Sequence, residues 1–449
     1  MRPSLLLLAT LAVGCSKPER QRLPLQIVAL DDGSALLTWE DAPRTHGVSR
    51  IGRDARLLWS TDLDGHPFGR GLDRGVVLTD RLVALRTYRY RELNAEGVLL
   101  ETGRRSWITP LRAVEGHGDG PDVYTGYANA QSIRLFLRAE MGKDGSELVD
   151  IDPMTGRKRG TTRLPIQTAM QGAPAHLAGE LFIGGGAGEV LVTTGQDVAR
   201  FDSRGYGCII GDEYWRLVGT PTQWELAPTR DKHRRSIPIG TVAADRNVWL
   251  IGCGAYRDSF VVFVNMGGAA DELRVVDANG NVLRRAVLGE SASVDAWRTT
   301  NPWSPETGTL PRFVPVVLGA KREELAVVDL EQGAVVRQGP SSSSADVFRG
   351  GNHWYWTWYE KEGANIVVFD GDTGKAKSVR LAGPDRIARL GPANVGGDSL
   401  WVLSSILPAR GNAPTVARLD AKTLKVQFAS PPLEIIEVPV DDLNEVRNP

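Results

Sequence analysis

The feature that most restricts the fold is a short unit that recurs along the chain. At residues 366–375 an apolar β-forming run, Ile366-Val367-Val368-Phe369, stops at Asp370-Gly371-Asp372-Thr373-Gly374-Lys375, and a second β-forming run follows at 377–381. Asp and Gly accept the backbone angles of a tight turn, so the unit reads as a hairpin. Close copies stand at 148–156, 199–205, 273–280, 325–333 and 416–423, with weaker ones at 49–55 and 90–97. Taking the turn-opening residue as a mark gives Gly52, Asn94, Asp152, Asp202, Asp277, Asp329, Asp370 and Asp420, a mean period of about 53 residues. Further β-forming runs lie at 35–39, 81–88, 132–138, 189–193, 247–251, 312–318, 354–359 and 400–404.

A period near ~50 residues with one hairpin per unit is the pattern of a β-propeller. The 50 Gly and 26 Pro suit a chain built of strands and turns. The expected fold is therefore an all-β propeller of about seven or eight four-stranded blades, eight favoured. Closing the ring would remove the exposed sheet edges of an open array. The long interval between marks 202 and 277 is read as one unit plus an insertion at 220–236, and the run at 433–440 as an extra outer strand or a tail.

The N-terminus carries the most specific functional signal. A basic start, Met1-Arg2, precedes an apolar run at 5–13 that is short for a membrane-spanning helix but of signal-peptide length. It ends at Ala12-Val13-Gly14-Cys15, which resembles a bacterial lipobox, in which the Cys becomes the lipidated first residue. The organisation expected is a lipoprotein signal peptide at 1–14, a lipidated tether at 15–23, a propeller at 24–432 and a C-terminal strand or tail at 433–449. Several acyl chains on Cys15 would give stable membrane anchoring. Ser16 rather than Asp after the Cys favours the outer membrane. Net charge is −1, so the chain offers no overall field for nucleic acid, and no nucleic-acid partner is expected. With Cys15 assigned, Cys208 and Cys253 form an even pair that an oxidising compartment could join, or two buried thiols.

The Asp-x-x-Thr-Gly turns at 152–156 and 370–374 resemble those of the quinoprotein-like propeller superfamily. That group holds quinone-dependent dehydrogenases and non-enzymatic outer-membrane-assembly lipoproteins of the BamB type. In the dehydrogenases the motif runs Ala-x-Asp-x-x-Thr-Gly-x-x-x-Trp, the Trp docking one blade on the next. Here the Ala places hold Asp150 and Val368, and the Trp places Gly160 and Ser378. The resemblance therefore implies the lipid-anchored, non-enzymatic architecture rather than the dehydrogenase.

Motifs for chemistry are sparse. Asp370-Gly371-Asp372 opens like a calcium loop, but the place of its bidentate Glu is Leu381, so it reads as a turn. His117, Asp119 and Asp122 share a loop without a second His. Gly289-Glu290-Ser291-Ala292-Ser293 fails the nucleophile-elbow pattern at its last place. No catalytic residue, metal ligand or cofactor is assigned. Trp354, Trp356 and Trp358 alternate with Tyr355 and Tyr359, which suits a strand packed on both faces. Two stretches are candidates for ligand or partner binding: the basic cluster with Arg234 and Arg235, and the Pro-rich stretch with Trp297, Arg298 and Trp303. The function expected is a monomeric, membrane-anchored binding or scaffold module for a protein or an envelope polysaccharide. The alternative is a propeller enzyme, such as a quinone-dependent dehydrogenase, lactonase or polysaccharide lyase, with a site in the central channel.

Overall fold

The computed structural model describes residues 23–41, 45–67, 76–89, 92–113, 123–137, 146–164, 175–185, 189–194, 197–203, 207–219, 223–231, 233–240, 248–265, 271–289, 309–318, 323–342, 345–360, 363–382, 390, 394–403, 416–430, 434–438 and 444–445. They form nine antiparallel sheets, each the blade of a β-propeller. Blade 1 is Leu23–Ala29, Ala35–Asp41, Thr45–Ile51 and Leu57–Leu63. Blade 2 is His66–Pro67 with Val76–Leu78, then Leu82–Arg89, Glu92–Leu99 and Arg105–Ala113. Blade 3 is Val123–Ala128, Ile133–Leu137, Ser146–Ile151 and Lys158–Leu164. Blade 4 is Ala175–Leu177, Glu180–Gly185, Glu189–Thr194 and Asp197–Asp202. Blade 5 is Cys208–Ile210, Glu213–Gly219, Trp224–Pro228 and Ile237–Gly240. Blade 6 is Trp249–Tyr256, Ser259–Asn265, Asp271–Val276 and Val282–Gly289.

Blades 7 and 8 recruit the chain's end. Blade 7 is Phe313–Leu318, Glu323–Asp329 and Ala334–Ser342, edged by Asn444–Glu445. Blade 8 is Ala345–Gly350, His353–Glu360, Gly363–Asp370 and Ala376–Ala382, with Glu434–Val438 as a fifth, outer strand. Blade 9 is Val395–Gly396, Ser399–Leu403, Val416–Asp420 and Val426–Ser430. Compactness divides the chain into two units, one holding blades 1, 2, 3 and 9, the other blades 4 to 7, with segments of blade 8 in each.

Nine blades correct the expectation of seven or eight, and the error has two physical sources. Asn94 is no turn: it lies 5% exposed inside the third strand of blade 2. Its polar neighbour Glu96 is fully buried because the carboxylate accepts the Asp64 and Gly65 amides at 3.0 and 3.2 Å. The turn of blade 2 comes later, where the Gly103 amide donates to the Leu99 carbonyl at 2.8 Å. Asp202, likewise, ends the outer strand of blade 4, whose two outermost strands meet at Thr194 and Asp197. The second source is the interval after 202. Residues 220–236 are no insertion: Trp224–Pro228 pairs with Glu213–Gly219 and with Ile237–Gly240, completing a separate blade 5. The hairpins therefore open at 52, 99, 152, 194, 229, 277, 329, 370 and 420, about 46 residues apart.

The turns themselves share one construction. Asp152 Oδ1 accepts the Met154 and Thr155 amides, both at 2.9 Å, and the Asp152 carbonyl accepts the Gly156 amide at 2.8 Å. Asp370 and Asp420 repeat it. The position after the turn is left-handed, φ +72° at Gly156 and +67° at Gly374, which explains the Gly. In blades 1 and 9, Ala55 (φ 62°) and Leu424 (φ 56°) occupy that place.

A docking side chain seats several of these turns on the preceding blade. Trp107 of blade 2 donates its indole N–H to the Pro153 carbonyl at 2.7 Å and lies flat on Gly156, while Thr109 Oγ1 donates to the Gly156 carbonyl at 2.5 Å. Trp59 of blade 1 does the same to blade 2, donating to the Leu100 carbonyl at 2.8 Å and covering Gly103. Thr102-Gly103-Arg104-Arg105-Ser106-Trp107 thus carries the full Thr-Gly-x-x-x-Trp pattern that blades 3 and 8 lack. At the junction of blades 9 and 1, Phe428 packs against the buried group holding Ile27, Leu37, Ala55 and Trp401.

The cores are sandwiched between blades. Leu36, Val48, Val83 and Val98 fill the space between blades 1 and 2. Phe263, Leu273, Val316, Val328 and Trp354 fill that from blade 6 to blade 8. Trp354, Tyr355, Trp356 and Trp358 are all buried, as the alternating run requires of a strand packed on both faces.

Candidate functional site

Of the two sequence-derived candidates for ligand or partner binding, the one with Arg234 and Arg235 lies among the described residues, and it is the turn of blade 5. The sequence gives no Asp at its opening, so another carboxylate organises it. Glu213, 1% exposed, sits at the start of the second strand of the same blade. Its Oε1 accepts the Tyr214, Thr229 and Arg230 amides at 3.0, 2.9 and 2.7 Å, and its Oε2 accepts the Asp231 amide at 2.8 Å. Four backbone donors satisfy a buried anion that would otherwise be costly. The turn is thereby fixed, and its basic side chains start from defined positions.

Those side chains differ in how engaged they are. Arg230 Nε donates to Glu180 Oε2 at 2.6 Å, and its Nη1 to the Asp212 carbonyl at 2.5 Å. Arg234 Nη1 donates to Asp212 Oδ1 at 3.1 Å, and its guanidinium stands 6.0 Å from the Trp215 ring centre. Arg234, by that hydrogen bond and by its charge, holds the Asp212 carboxyl below its ordinary value. Arg235 is exposed and makes no ion pair among the described residues. The turn thus offers one uncommitted guanidinium beside two neutralised ones, a geometry suited to a single carboxylate or phosphate group rather than to a polyanion.

Beneath this turn lies the cysteine pair. Cys208 is opposite Trp215 in the first strand of blade 5, and it is bonded to Cys253 in the first strand of blade 6, Cα atoms 5.6 Å apart. The bridge joins the three-residue first strand of blade 5 to the eight-residue first strand of blade 6, across a core containing Leu217, Leu226 and Val262.

The remaining candidates lie elsewhere. Cys15, His117, Asp119, Asp122, Trp297, Arg298 and Trp303 fall outside the described residues. Among the described residues no three His, Cys, Asp or Glu side chains gather as a metal-binding group. No helix among them is long and apolar enough to cross a membrane. Sequence reasoning missed Glu213, Glu180 and Asp212, whose roles depend on strand pairing; the Gly211-Asp212-Glu213 step was the one local sign of a turn there.

Comparison with known proteins adds only distant likeness. No protein-family model and no curated protein matches the chain. Among solved structures, BamB from Moraxella catarrhalis is similar over 87% of this chain and 97% of its own, at 12% identity and a TM-score of 0.42. A eukaryotic initiation factor is similar over 93% and 98%, at 10% identity and a TM-score of 0.48. Dihydro-heme d1 dehydrogenase NirN is similar over 82% and 68%, at 14% identity and a TM-score of 0.40. These proteins differ so widely in what their names describe that the likeness stops at the propeller fold.

Proposed function

We propose that this chain is an exported lipoprotein whose propeller serves as a non-catalytic binding or scaffold module of the cell envelope, taking a protein or polysaccharide partner. The observation that carries the reading is the apolar run at 5–13 ending in Gly14-Cys15. A Cys208–Cys253 bridge supports it, since such bonds persist in oxidising, extracytoplasmic compartments. Cys15 takes the lipid, the residues after it form the tether, and the propeller stands free as a monomer on the outer membrane. Partner contacts fall on segments the blades do not share, namely the blade 5 turn with Arg234 and Arg235 and the stretch with Trp297, Arg298 and Trp303.

The test is fractionation of cells expressing the full chain and its Cys15→Ala variant, with metabolic fatty-acid labelling. The native chain is expected in detergent-extracted membranes with label. The variant should be soluble and unlabelled. Unchanged partitioning of the variant would refute the anchor. Crosslinking in the native envelope, with and without paired Arg234→Ala and Arg235→Ala changes, then reports whether the blade 5 turn meets the partner.

A further inference from the structure

Strand register fixes which end of blade 1 the tether leaves from. Leu23 pairs with Glu40, Glu40 with His46, and His46 with Leu63, so these residues share one end of the blade. Ala29, Ala35, Ile51 and Leu57 share the other, beside the turn in which the Ala55 amide donates to the Gly52 carbonyl. The two ends are separated by a seven-residue strand, about 20 Å.

The same polarity extends through the unit. Trp59 reaches the turn of blade 2 and Trp107 the turn of blade 3, while Arg418 of blade 9 donates to the Arg53 carbonyl at 2.5 Å. All four turns therefore lie at the end away from Leu23. The opposite end of blade 2 is marked by the pairing of Arg89 with Glu92 and of Glu92 with Ala113.

We infer that the Leu23 end of blades 1, 2, 3 and 9 faces the bilayer and the turn end faces away from it. The inference rests on the proposed lipidation of Cys15. Eight residue steps separate Cys15 from Leu23, which reach about 28 Å at full extension. A flexible chain of that length spans about 16 Å on average. Setting the turn end on the membrane would require the tether to climb the blade's own height of about 20 Å, beyond its average span and about 70% of its full reach. Setting the Leu23 end there requires no extension. Lys17, Arg20 and Arg22 on the tether add attraction to anionic headgroups, which keeps the leash short. The partner of this end is thus a phospholipid surface, and the turn end is left open to soluble partners.

Single cysteines test it, because Cys208 and Cys253 are bonded to each other. Asp62→Cys and Glu92→Cys report the Leu23 end; Arg104→Cys and Met154→Cys report the turn end, and all four positions are exposed. The lipidated full chain, labelled at each site with an environment-sensitive dye, is reconstituted in vesicles carrying headgroup nitroxide quenchers. Quenching is expected to be at least about two-fold stronger at positions 62 and 92 than at 104 and 154, given the ~20 Å between the ends. Equal or reversed quenching of a chain whose vesicle binding requires Cys15 would overturn the orientation alone. Equal vesicle binding by the Cys15→Ala variant would overturn the anchor and the orientation together.

Discussion

Two junctions between neighbouring blades meet the same need with opposite chemistry. Between blades 2 and 3 the docking residue is Trp107, 7% exposed, hydrogen-bonded to Pro153 and pressed so closely on Gly156 that an added Cβ would come within 2.6 Å of the ring. Between blades 6 and 7 the same place, four residues beyond the turn glycine, holds Arg284. Its Nε donates to the Glu331 carbonyl at 2.9 Å, and the side chain is exposed. There the turn is held by a charge network. Arg312 grips Asp329 with two hydrogen bonds at 3.0 and 2.6 Å and reaches Glu331 at 2.8 Å, while Arg257 and Tyr256 also meet the Glu331 carboxylate. Burial alone would raise the Asp329 carboxyl, but Arg312 and the Glu331 amide bring it below its ordinary value. One junction is an apolar seat, the other a polar clasp, and solvent conditions should separate them.

The largest expected effect is at the apolar seat. Trp107→Ala should cost about 3–5 kcal/mol in urea unfolding, because it empties a packed site and leaves the Pro153 carbonyl without its donor. A loss below about 1 kcal/mol would show that the Trp is ornamental to the junction. Next comes the covalent junction. Replacing Cys208 and Cys253 together by Ser should cost about 2–4 kcal/mol for a bridge closing 45 residues, and amide exchange should rise first in blade 5. Gly156→Ala combines a left-handed backbone with the clash on Trp107, so about 1–3 kcal/mol is expected. Arg284→Ala should cost under about 1 kcal/mol, since it removes hydrogen bonds to main-chain carbonyls, and molar salt should weaken the neighbouring Arg312–Glu331 pair while leaving the Trp107→Ala difference unchanged.

Acid sharpens the comparison from the side of the turn itself. The Arg159 guanidinium and the Thr155 amide hold Asp152 down at about 2, from an ordinary 3.8. A depressed carboxyl contributes stability in full above its unfolded value and loses it as pH falls through the folded one. The Asp152 contribution should therefore be whole above pH 4 and fade toward pH 2. Asp152→Asn should flatten that part of the acid-unfolding profile, and an unchanged profile would show that the turn gains nothing from its charge.

Legibility in the sequence followed how local each interaction is. The turns at 152, 277, 329, 370 and 420 were readable because each is closed by its own Asp a few residues away. Blade 2 was misplaced because Asn94 and Glu96 look like a turn unless the amides of Asp64 and Gly65, some thirty residues earlier, are known to satisfy the buried carboxylate. Blade 5 was hidden for the same reason: Glu213 organises its turn from sixteen to eighteen residues upstream, and nothing in residues 229–236 announces it. Of the candidate site, the basic character of Arg234 and Arg235 was visible, but the pairing of Arg234 with Asp212 and of Arg230 with Glu180 depends on neighbouring strands. The docking Trp is absent from the Asp-opened turns of blades 3 and 8, while Thr102 to Trp107 of blade 2 holds the Thr-Gly-x-x-x-Trp part of the pattern with Leu99 at the Asp place and Gly97 at the Ala place.

Among the described residues, blades 1 and 9 share no strand; the first is made from residues 23–63 and the last from 395–430. Their junction depends on contacts such as the Trp401 indole donating to the Gly33 carbonyl, across 368 residues of chain. Bringing such distant points together carries a loop-closure cost of about 5 kcal/mol, payable only once blade 9 exists. A chain emerging from its N-terminus would hold Ile27, Leu37 and Ile51 exposed to water until nearly all of it had been delivered. Blade 1 is thus made before the other eight and among the last finished, and until then its apolar face is the surface most in need of a chaperone.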